Sequence, residues 1–456
     1  MDNIKTVKNI VIGAGPAGRL AALELGKLDE EVLLIEKKHI GGTCCNEGCM
    51  VVCALTDISR FLRNFKRFED NGFITGNLNF SYENAVLKLK ETQKLLRKIN
   101  QSENESVNNL IIYGNARIED INENEITVTI KVNETNEEET YKCEKLLIAT
   151  GAKSSIPNIK GTDLSMTSSD ILDLKDLPNT LNIIGGGIIA TELANIFSSF
   201  GCNVNMIVRS TPLKELEPEI REYTIKNLLK DINIYENTET LEIKENSVIT
   251  NKGEFEGKTL LATGRIPNTD LISEYVELNK DGSIKTNEFL QTSNKNIYAA
   301  GDCIGNINLT PVARREGICA ARNMAGYLNK IENTTIPQSV TLDLDVSFTQ
   351  KPNIYNETNQ LKEEQSNKNI SNVTIPGLGG PHAFWRILTG ETGLTKVSIN
   401  NENGKIEKVS SISPSSVDDT AYLAFLMNNE FGKEDFDDFL EVHPSTDAYY
   451  KILKLM

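Results

Sequence analysis

The feature that most constrains this chain is a strand, glycine turn and helix that occurs twice, once near the start and once near the middle. The first copy runs from Ile10 to Ile12 through Gly13-x-Gly15-x-x-Gly18 into a segment carrying Leu20, Leu23 and Leu25. Glycines at this spacing let the backbone turn tightly and approach a pyrophosphate, whose charge the N-terminus of the next helix then holds. A second strand, Glu31 to Ile35, closes on Glu36, which lies 18 residues after Gly18. An acid there accepts hydrogen bonds from a ribose. The second copy opens at Asn182 and continues through Gly185-x-Gly187-x-x-Ala190, with Glu192 just beyond. Its equivalent of Glu36 is Val208, so the ribose acid is missing, and Arg209 follows, with Lys214 nearby. Basic side chains accommodate a 2'-phosphate, so this unit is expected to take NADP(H) in preference to NAD(H). If Arg209 and Lys214 only decorate a surface turn, the preference disappears.

A chain of 456 residues exceeds the roughly 250 to 300 at which a single core stops growing, so two or three domains are expected. With 39% hydrophobic and 25% charged residues it has the composition of a soluble globular protein, and no apolar run reaches the roughly 20 residues of a membrane span. A net charge of -16 argues against nucleic acid as a partner, because that ligand selects basic surfaces. The first residues lead directly into a strand with neither an apolar leader core nor a small-residue cleavage site, which favours the cytoplasm. Of eight cysteines, Cys44, Cys45, Cys49 and Cys53 fall within ten residues. In a reducing compartment such a cluster is more often catalytic or metal-binding than structural.

Between and beyond the two nucleotide units the pattern is coarser. Residues 44–66 read as helical, and Tyr82 to Ile99 as a long exposed helix. From Asn109 to Ile148 short alternating segments suggest a small antiparallel sheet. The polar stretch 331–338, with Pro337, marks a boundary, and 356–372 reads as an exposed loop. The tail from Thr395 reads as strands and then helices. The only tryptophan, Trp385, is expected to anchor a core.

With these elements in place the sequence resembles the pyridine nucleotide-disulfide oxidoreductases, the family of dihydrolipoamide dehydrogenase, glutathione reductase and mercuric reductase. The resemblance covers the first fingerprint, Gly41 to Cys49, Leu146-Leu-Ile-Ala-Thr-Gly-Ala152, the middle fingerprint, Ala262-Thr-Gly-Arg-Ile-Pro-Asn268, and Ile297-Tyr-Ala-Ala-Gly-Asp302 with Leu309 to Ala313. It implies an α/β fold: two doubly wound dinucleotide-binding domains, for FAD and for NAD(P), plus an α+β C-terminal interface domain. The boundaries expected are 1–150 for the first part of the FAD domain, 151–265 for the NAD(P) domain, 266–335 for the return to the FAD domain, and 336–456 for the dimerisation domain. FAD contacts would come from Gly13, Gly15, Gly18, Glu36, Gly42, Thr43, Thr150, Gly151, Gly301, Asp302 and Ala313. NAD(P) contacts would come from Gly185, Gly187, Ala190, Glu192, Arg209, Lys214, Gly264 and Arg265. Asp302 would bind the flavin's ribityl chain, and a helix starting near Thr310 would direct its positive end at the flavin ring.

The same resemblance makes Cys44 and Cys49 a redox disulfide, a reading that suits the Cys-x4-Cys spacing at a helix start, where the dipole favours a thiolate. Electrons would pass from NADPH through FAD and Cys49, after which Cys44 attacks a small disulfide substrate and a proton donor serves the departing thiol. His443, before Pro444, is the candidate donor, reaching into the partner's site across the twofold axis of a homodimer. Asp447, one residue short of the family's spacing, would orient it. No metal site is expected.

The pattern breaks after Cys49. The family places Ile-Pro-Ser-Lys there, its lysine pairing with the glutamate of the middle fingerprint, whereas this chain has Met50-Val51-Val52-Cys53. Glu192 is therefore expected to be protonated, solvated or paired elsewhere. Cys45 and Cys53 read either as small buried filler or as thiols for Hg(II), Cu(I) or persulfide chemistry. Dihydrolipoamide is the leading substrate; a glutathione-type reductase, a metal or polysulfide reductase, and a flavin-bound scaffold without turnover are the alternatives.

Overall fold

The computed structural model describes residues 4–351, 369–377, 382–440, 442–444, 449 and 452–453. An eight-stranded sheet organises the first part of the chain. Its strands are β1 (Lys5–Thr6), β2 (Asn9–Ile12), β3 (Val32–Glu36), β4 (Leu110–Ile121), β5 (Ile126–Val132), β6 (Glu138–Cys143), β7 (Lys145–Ile148) and β18 (Ile297–Ala299). They lie in the order β1-β6-β5-β4-β3-β2-β7-β18. The strands β2, β3 and β7 are near-continuous apolar runs buried on both faces, the signature of parallel strands sandwiched by helices. One face is covered by α1 (Pro16–Lys27), which buries Ala17, Gly18, Ala21, Ala22 and Leu25 and starts with a proline in its first turn, where a missing N–H costs nothing. Three further helices follow: α2 (Gly42–Asn46), α3 (Cys49–Asp70) and α4 (Tyr82–Glu105), the last capped by Ser81, whose side chain accepts the N–H of Asn84.

A short antiparallel pair, β8 (Ala152–Ser154) with β17 (Arg265–Pro267), carries the chain into and out of a second parallel sheet. That sheet has the order β12-β11-β10-β16-β9, built from β9 (Met166–Thr167), β10 (Thr180–Ile184), β11 (Asn203–Ile207), β12 (Asn233–Tyr235) and β16 (Lys258–Leu261). It carries α5 (Ile188–Ser199), α6 (Pro218–Tyr223) and a three-stranded flap of β13 (Thr240–Lys244), β14 (Ser247–Thr250) and β15 (Gly253–Glu256). After β18 the helix α7 (Thr310–Met324) packs along α1. The C-terminal part is an antiparallel sheet, β19 (Ile336–Val340), β20 (Asp345–Gln350), β23 (Ile406–Ser413), β22 (Leu394–Asn400) and β21 (Ile370–Pro376) in that spatial order, backed by α8 (Ser416–Asn428).

Several sequence expectations need correction. Within 109–148 the strands β4, β5 and β6 pair antiparallel, as expected, but they continue the parallel sheet rather than stand alone. The first residues of β4, Leu110 to Tyr113, pair parallel to β3 before the strand turns antiparallel to β5, and β7 lies parallel between β2 and β18. Only the tertiary pairing of one continuous strand shows this. The helical run from 44 is broken at Glu47-Gly48 and extends to Asp70. Residues 370–372 belong to β21, while 356–368 lie outside the described residues. Trp385 is not a core anchor: it is 45% exposed and lies against Phe73, with ring centroids 4.7 Å apart. Pro337 lies inside β19, an edge strand of its sheet, where the lost N–H need not serve a second neighbour.

Candidate active site

Both glycine turns open into one continuous cavity of about 1860 Å³. At the first, Gly13 adopts φ 102°, and a Cβ there would collide with the carbonyl of Ala149. A Cβ on Gly18 would collide with the carbonyl of Gly13, so turn and helix meet at backbone contact. At the end of β3, Glu36 accepts the N–H groups of Ala14 and Lys38, each at 2.8 Å, and its side chain lines the cavity. At the second turn Gly185 has φ 138°, and a Cβ would collide with the carbonyl of Ala262. Ala190 is buried in the place equivalent to Gly18, so here helix and strand leave room for a methyl. Arg209 and Lys214 both line this end.

The middle of the cavity brings together Gly42, Thr43, Thr150, Gly151, Gly264, Arg265, Gly301, Asp302 and Ala313 from five separate stretches of sequence. Thr150 donates its hydroxyl to the carbonyl of Asn268 at 2.5 Å. Arg265 donates to the carbonyl of Ala152 and stands 3.9 Å from Asp302. Burial pushes the Asp302 carboxyl up and the guanidinium opposes that. The residues present fit a flavin dinucleotide: a side-chain-free turn for the pyrophosphate, an acid for the ribose, and Asp302 facing the space between the two.

The cysteines stand over this central region. Cys49, the first residue of α3, and Cys44 in α2 are hydrogen-bonded to each other, and the Cys49 sulfur is 3.6 Å from the Thr310 hydroxyl at the start of α7. The hydrogen bond from Cys49 brings the Cys44 thiol down to about 6 against the effect of burial, with Thr310 and Arg314 assisting. The same pairing, with burial, drives Cys49 in the opposite direction. Cys44 is thus the thiolate and Cys49 its donor. Cys45 turns away: it is buried against Gly41, its carbonyl accepting from Gln93 at 3.1 Å. Cys53, one turn beyond Cys49, faces the cavity, and burial raises its thiol, with Cys49 and Glu192 adding. Glu192 stands on the cavity floor, where its carboxylate accepts the N–H of Thr341 at 2.8 Å. This backbone N–H is not the cation that the family's lysine supplies. Enclosure by protein pushes the Glu192 carboxyl up to about 7, opposed by hydrogen bonds from Thr341.

His443 is exposed and is not among the residues lining the cavity; Asp447 lies outside the described residues. Within one chain, therefore, the histidine is not brought to the cysteine pair. Among the described residues no three His, Cys, Asp or Glu side chains are grouped to hold a metal ion, and no helix is long and apolar enough to cross a membrane. Sequence reasoning missed Thr341 and Arg314, which reach Glu192 and Cys44 only through tertiary packing.

A family model, that of the pyridine nucleotide-disulphide oxidoreductases, matches residues 7–317. The chain belongs to that family. Its members are FAD-dependent enzymes that use a pyridine nucleotide in chemistry on sulfur. An uncharacterized protein of Methanocaldococcus jannaschii is 31% identical over 98% of this chain and 97% of its own. The glutathione reductase of Burkholderia cepacia is 30% identical over 95% of each. The mercuric reductase of Bacillus cereus is 35% identical, over 73% of this chain and 54% of its own. Among solved structures, LpdA of Mycobacterium tuberculosis superposes with a TM-score of 0.86 at 19% identity, covering 99% of this chain and all of that one. That likeness bears on the fold, and it agrees with the expected α/β architecture.

Proposed function

We propose that this family member is an NADPH-dependent disulfide reductase whose redox pair is Cys44 and Cys49. The observation that carries the reading is their position: a hydrogen-bonded thiol pair, one member lowered and the other raised, in a cavity that both nucleotide turns share. FAD would be held by Gly13, Gly15, Gly18, Glu36, Gly42, Thr43, Thr150, Gly151, Gly301, Asp302 and Ala313, and when bound it relays electron pairs between nicotinamide and sulfur. The nicotinamide dinucleotide would lie along Gly185, Gly187 and Ala190 towards Gly264 and Arg265, its 2'-phosphate on Arg209 and Lys214. Cys49 receives the electrons and Cys44, already a thiolate near neutral pH, attacks a small disulfide to form a mixed disulfide. His443 would protonate the departing thiol from the partner subunit of a homodimer, oriented by Asp447, in a cytoplasmic, reducing setting.

Lipoamide, reduced to dihydrolipoamide, is the substrate we put first. Among the described residues Arg314 is the cation that acts most on Cys44, and a polyanionic disulfide would be expected to find several close by. The alternative of a metal reductase that uses the extra thiols is disfavoured by the burial of Cys45 and the lack of a metal-holding group among the described residues. Steady-state assays of NADPH and NADH with lipoamide, glutathione disulfide, coenzyme A disulfide, polysulfide and Hg(II) test the reading. The expected result is turnover of lipoamide with NADPH, abolished in Cys44→Ser. Turnover confined to Hg(II), or persisting in Cys44→Ser, would contradict it.

A further inference from the structure

Helix α7 carries a buried acid that the mechanism above does not use. Glu316 is 1% exposed and is not among the residues lining the cavity, although Ala313, one turn earlier on α7, is. A carboxyl buried this deeply is costly unless its oxygens are satisfied, and two of its partners lie on one segment of chain. Its Oε2 accepts the N–H of Gly301 at 2.8 Å, and its Oε1 accepts the side-chain amide of Asn306 at 3.1 Å. Between these two residues the chain makes the turn Asp302–Ile304, which brings Asp302 to the cavity. Both ends of that turn are thus tied to α7. The N–H of Ala300 still bonds the Ile148 carbonyl on β7; at Gly301, with φ 81°, the chain turns away and its N–H goes to Glu316 instead. The helix that holds the turn is itself fixed, because a Cβ on Gly317 would collide with the carbonyl of Ala17, so α7 and α1 meet at backbone contact.

We propose that Glu316 is a positioning residue for FAD: it draws the segment from Gly301 to Asn306 onto α7 and so holds the Asp302 carboxyl where the flavin's ribityl chain needs it, without touching the cofactor. This deepens the reading of Asp302 as an FAD contact and rests on it. The guanidinium of Arg265 approaches Asp302 only to 3.9 Å, too far for a hydrogen bond, so the direction of the carboxyl is set chiefly by the turn beneath it. A binding group must be held to within roughly 0.5 Å by the hydrogen bonds behind it, and the two accepted by Glu316 bracket the residue concerned. The same geometry says what Glu316 does not do. Thr310 and Arg314 stand in the first turn of α7, where the Thr310 hydroxyl is 3.6 Å from the Cys49 sulfur and both residues act on Cys44. Gly317 seats α7 on α1 independently of Glu316, so loss of the acid frees the Asp302 turn and leaves the start of the helix in place. The flavin side is affected and the cysteine side is not, a separation that a general support of the fold would not produce.

The rate at which FAD leaves the loaded enzyme on dilution, read by the fluorescence of free flavin, tests this in a double-mutant cycle with Asp302. Glu316→Ala should speed release roughly 10- to 100-fold, the worth of hydrogen bonds to a charged group. Glu316→Gln keeps both bonds once Asn306 turns its carboxamide oxygen towards it, and should stay within about fivefold of the parent. Asn306→Ala removes one tie from a partly buried side chain and should speed release roughly 3- to 10-fold; it carries the test if Glu316→Ala does not fold. In an Asp302→Ala background, where release is already fast, either alanine change should add less than about threefold, because the group being positioned is gone, whereas independent sites would multiply. Iodoacetamide labelling of Cys44 at pH 6, in FAD-loaded enzyme reduced with a phosphine, should be the same in Glu316→Ala as in the parent. Multiplicative losses, or Cys44 labelling that changes along with flavin release, would overturn the proposal. An Asp302→Ala variant that retains FAD as the parent does would overturn the reading of Asp302 and the proposal with it, whereas multiplicative losses beside a large Asp302 effect strike the proposal alone.

Discussion

The two nucleotide units share one plan and differ at two points, and the differences separate what the fold requires from what the ligand requires. Both turns need a glycine at their first position, because Gly13 and Gly185 each press against a backbone carbonyl of the neighbouring strand. At the third position the first unit has Gly18 in backbone contact with Gly13, whereas the second tolerates Ala190. At the end of the second strand the first unit has Glu36, fixed by two backbone N–H groups, whereas the second has Val208 followed by Arg209 on the cavity wall. The first difference reflects how closely helix and strand approach; the second concerns charge at the ribose.

The contrast can be broken most severely at Gly18. A methyl there would run into the Gly13 backbone, so Gly18→Ala should lower FAD affinity by about 5- to 150-fold, the equivalent of an overpacking cost of about 1–3 kcal/mol; flavin content after gel filtration checks this. Next in size is charge reversal at the other unit. Arg209→Glu should reduce the NADPH over NADH preference about 10- to 100-fold, the worth of one charge-assisted hydrogen bond, read as the ratio of kcat/KM values, with FAD content unchanged.

The cysteine pair belongs to the first unit's side of the cavity, so its titration should not notice Arg209→Glu. Iodoacetamide labelling of Cys44 in the reduced enzyme should rise as pH climbs through about 6, because the thiolate is the reacting form and a lowered pKa exposes it at lower pH. The rate at pH 7 should be about tenfold that at pH 5 in both proteins. Smallest is Ala190→Gly, which removes a methyl where one fits and should cost about 1 kcal/mol, as glycine does within helices, with NADPH affinity intact; thermal unfolding measures it.

Much of this contrast was legible in the sequence because it is local. A glycine spacing, an acid at the end of the second strand and two cysteines five positions apart each report a turn or helix end that short-range sterics decide. Glu192 was legible only as a residue without its lysine; that Thr341, 149 positions away, occupies it depends on how the C-terminal sheet docks on α5. Leu146 to Ile148 read as one more short alternating strand because apolar runs do not announce their partners, and only the packed sheet places β7 between β2 and β18. Trp385 misled for the opposite reason: size predicts burial, yet the ring settles on Phe73 at the surface. His443 remains apart from the cysteines within one chain, so the role proposed for it requires a partner subunit.

The account turns on Cys44 and Cys49 accepting electrons through the cavity that joins the two units. Anaerobic titration of the oxidised FAD-loaded enzyme with NADPH, followed by iodoacetamide labelling and peptide mapping, tests that directly. The account predicts uptake of two electron pairs and labelling of Cys44, absent before reduction. Uptake of a single pair, with Cys44 and Cys49 no more reactive than in the oxidised enzyme, would contradict it.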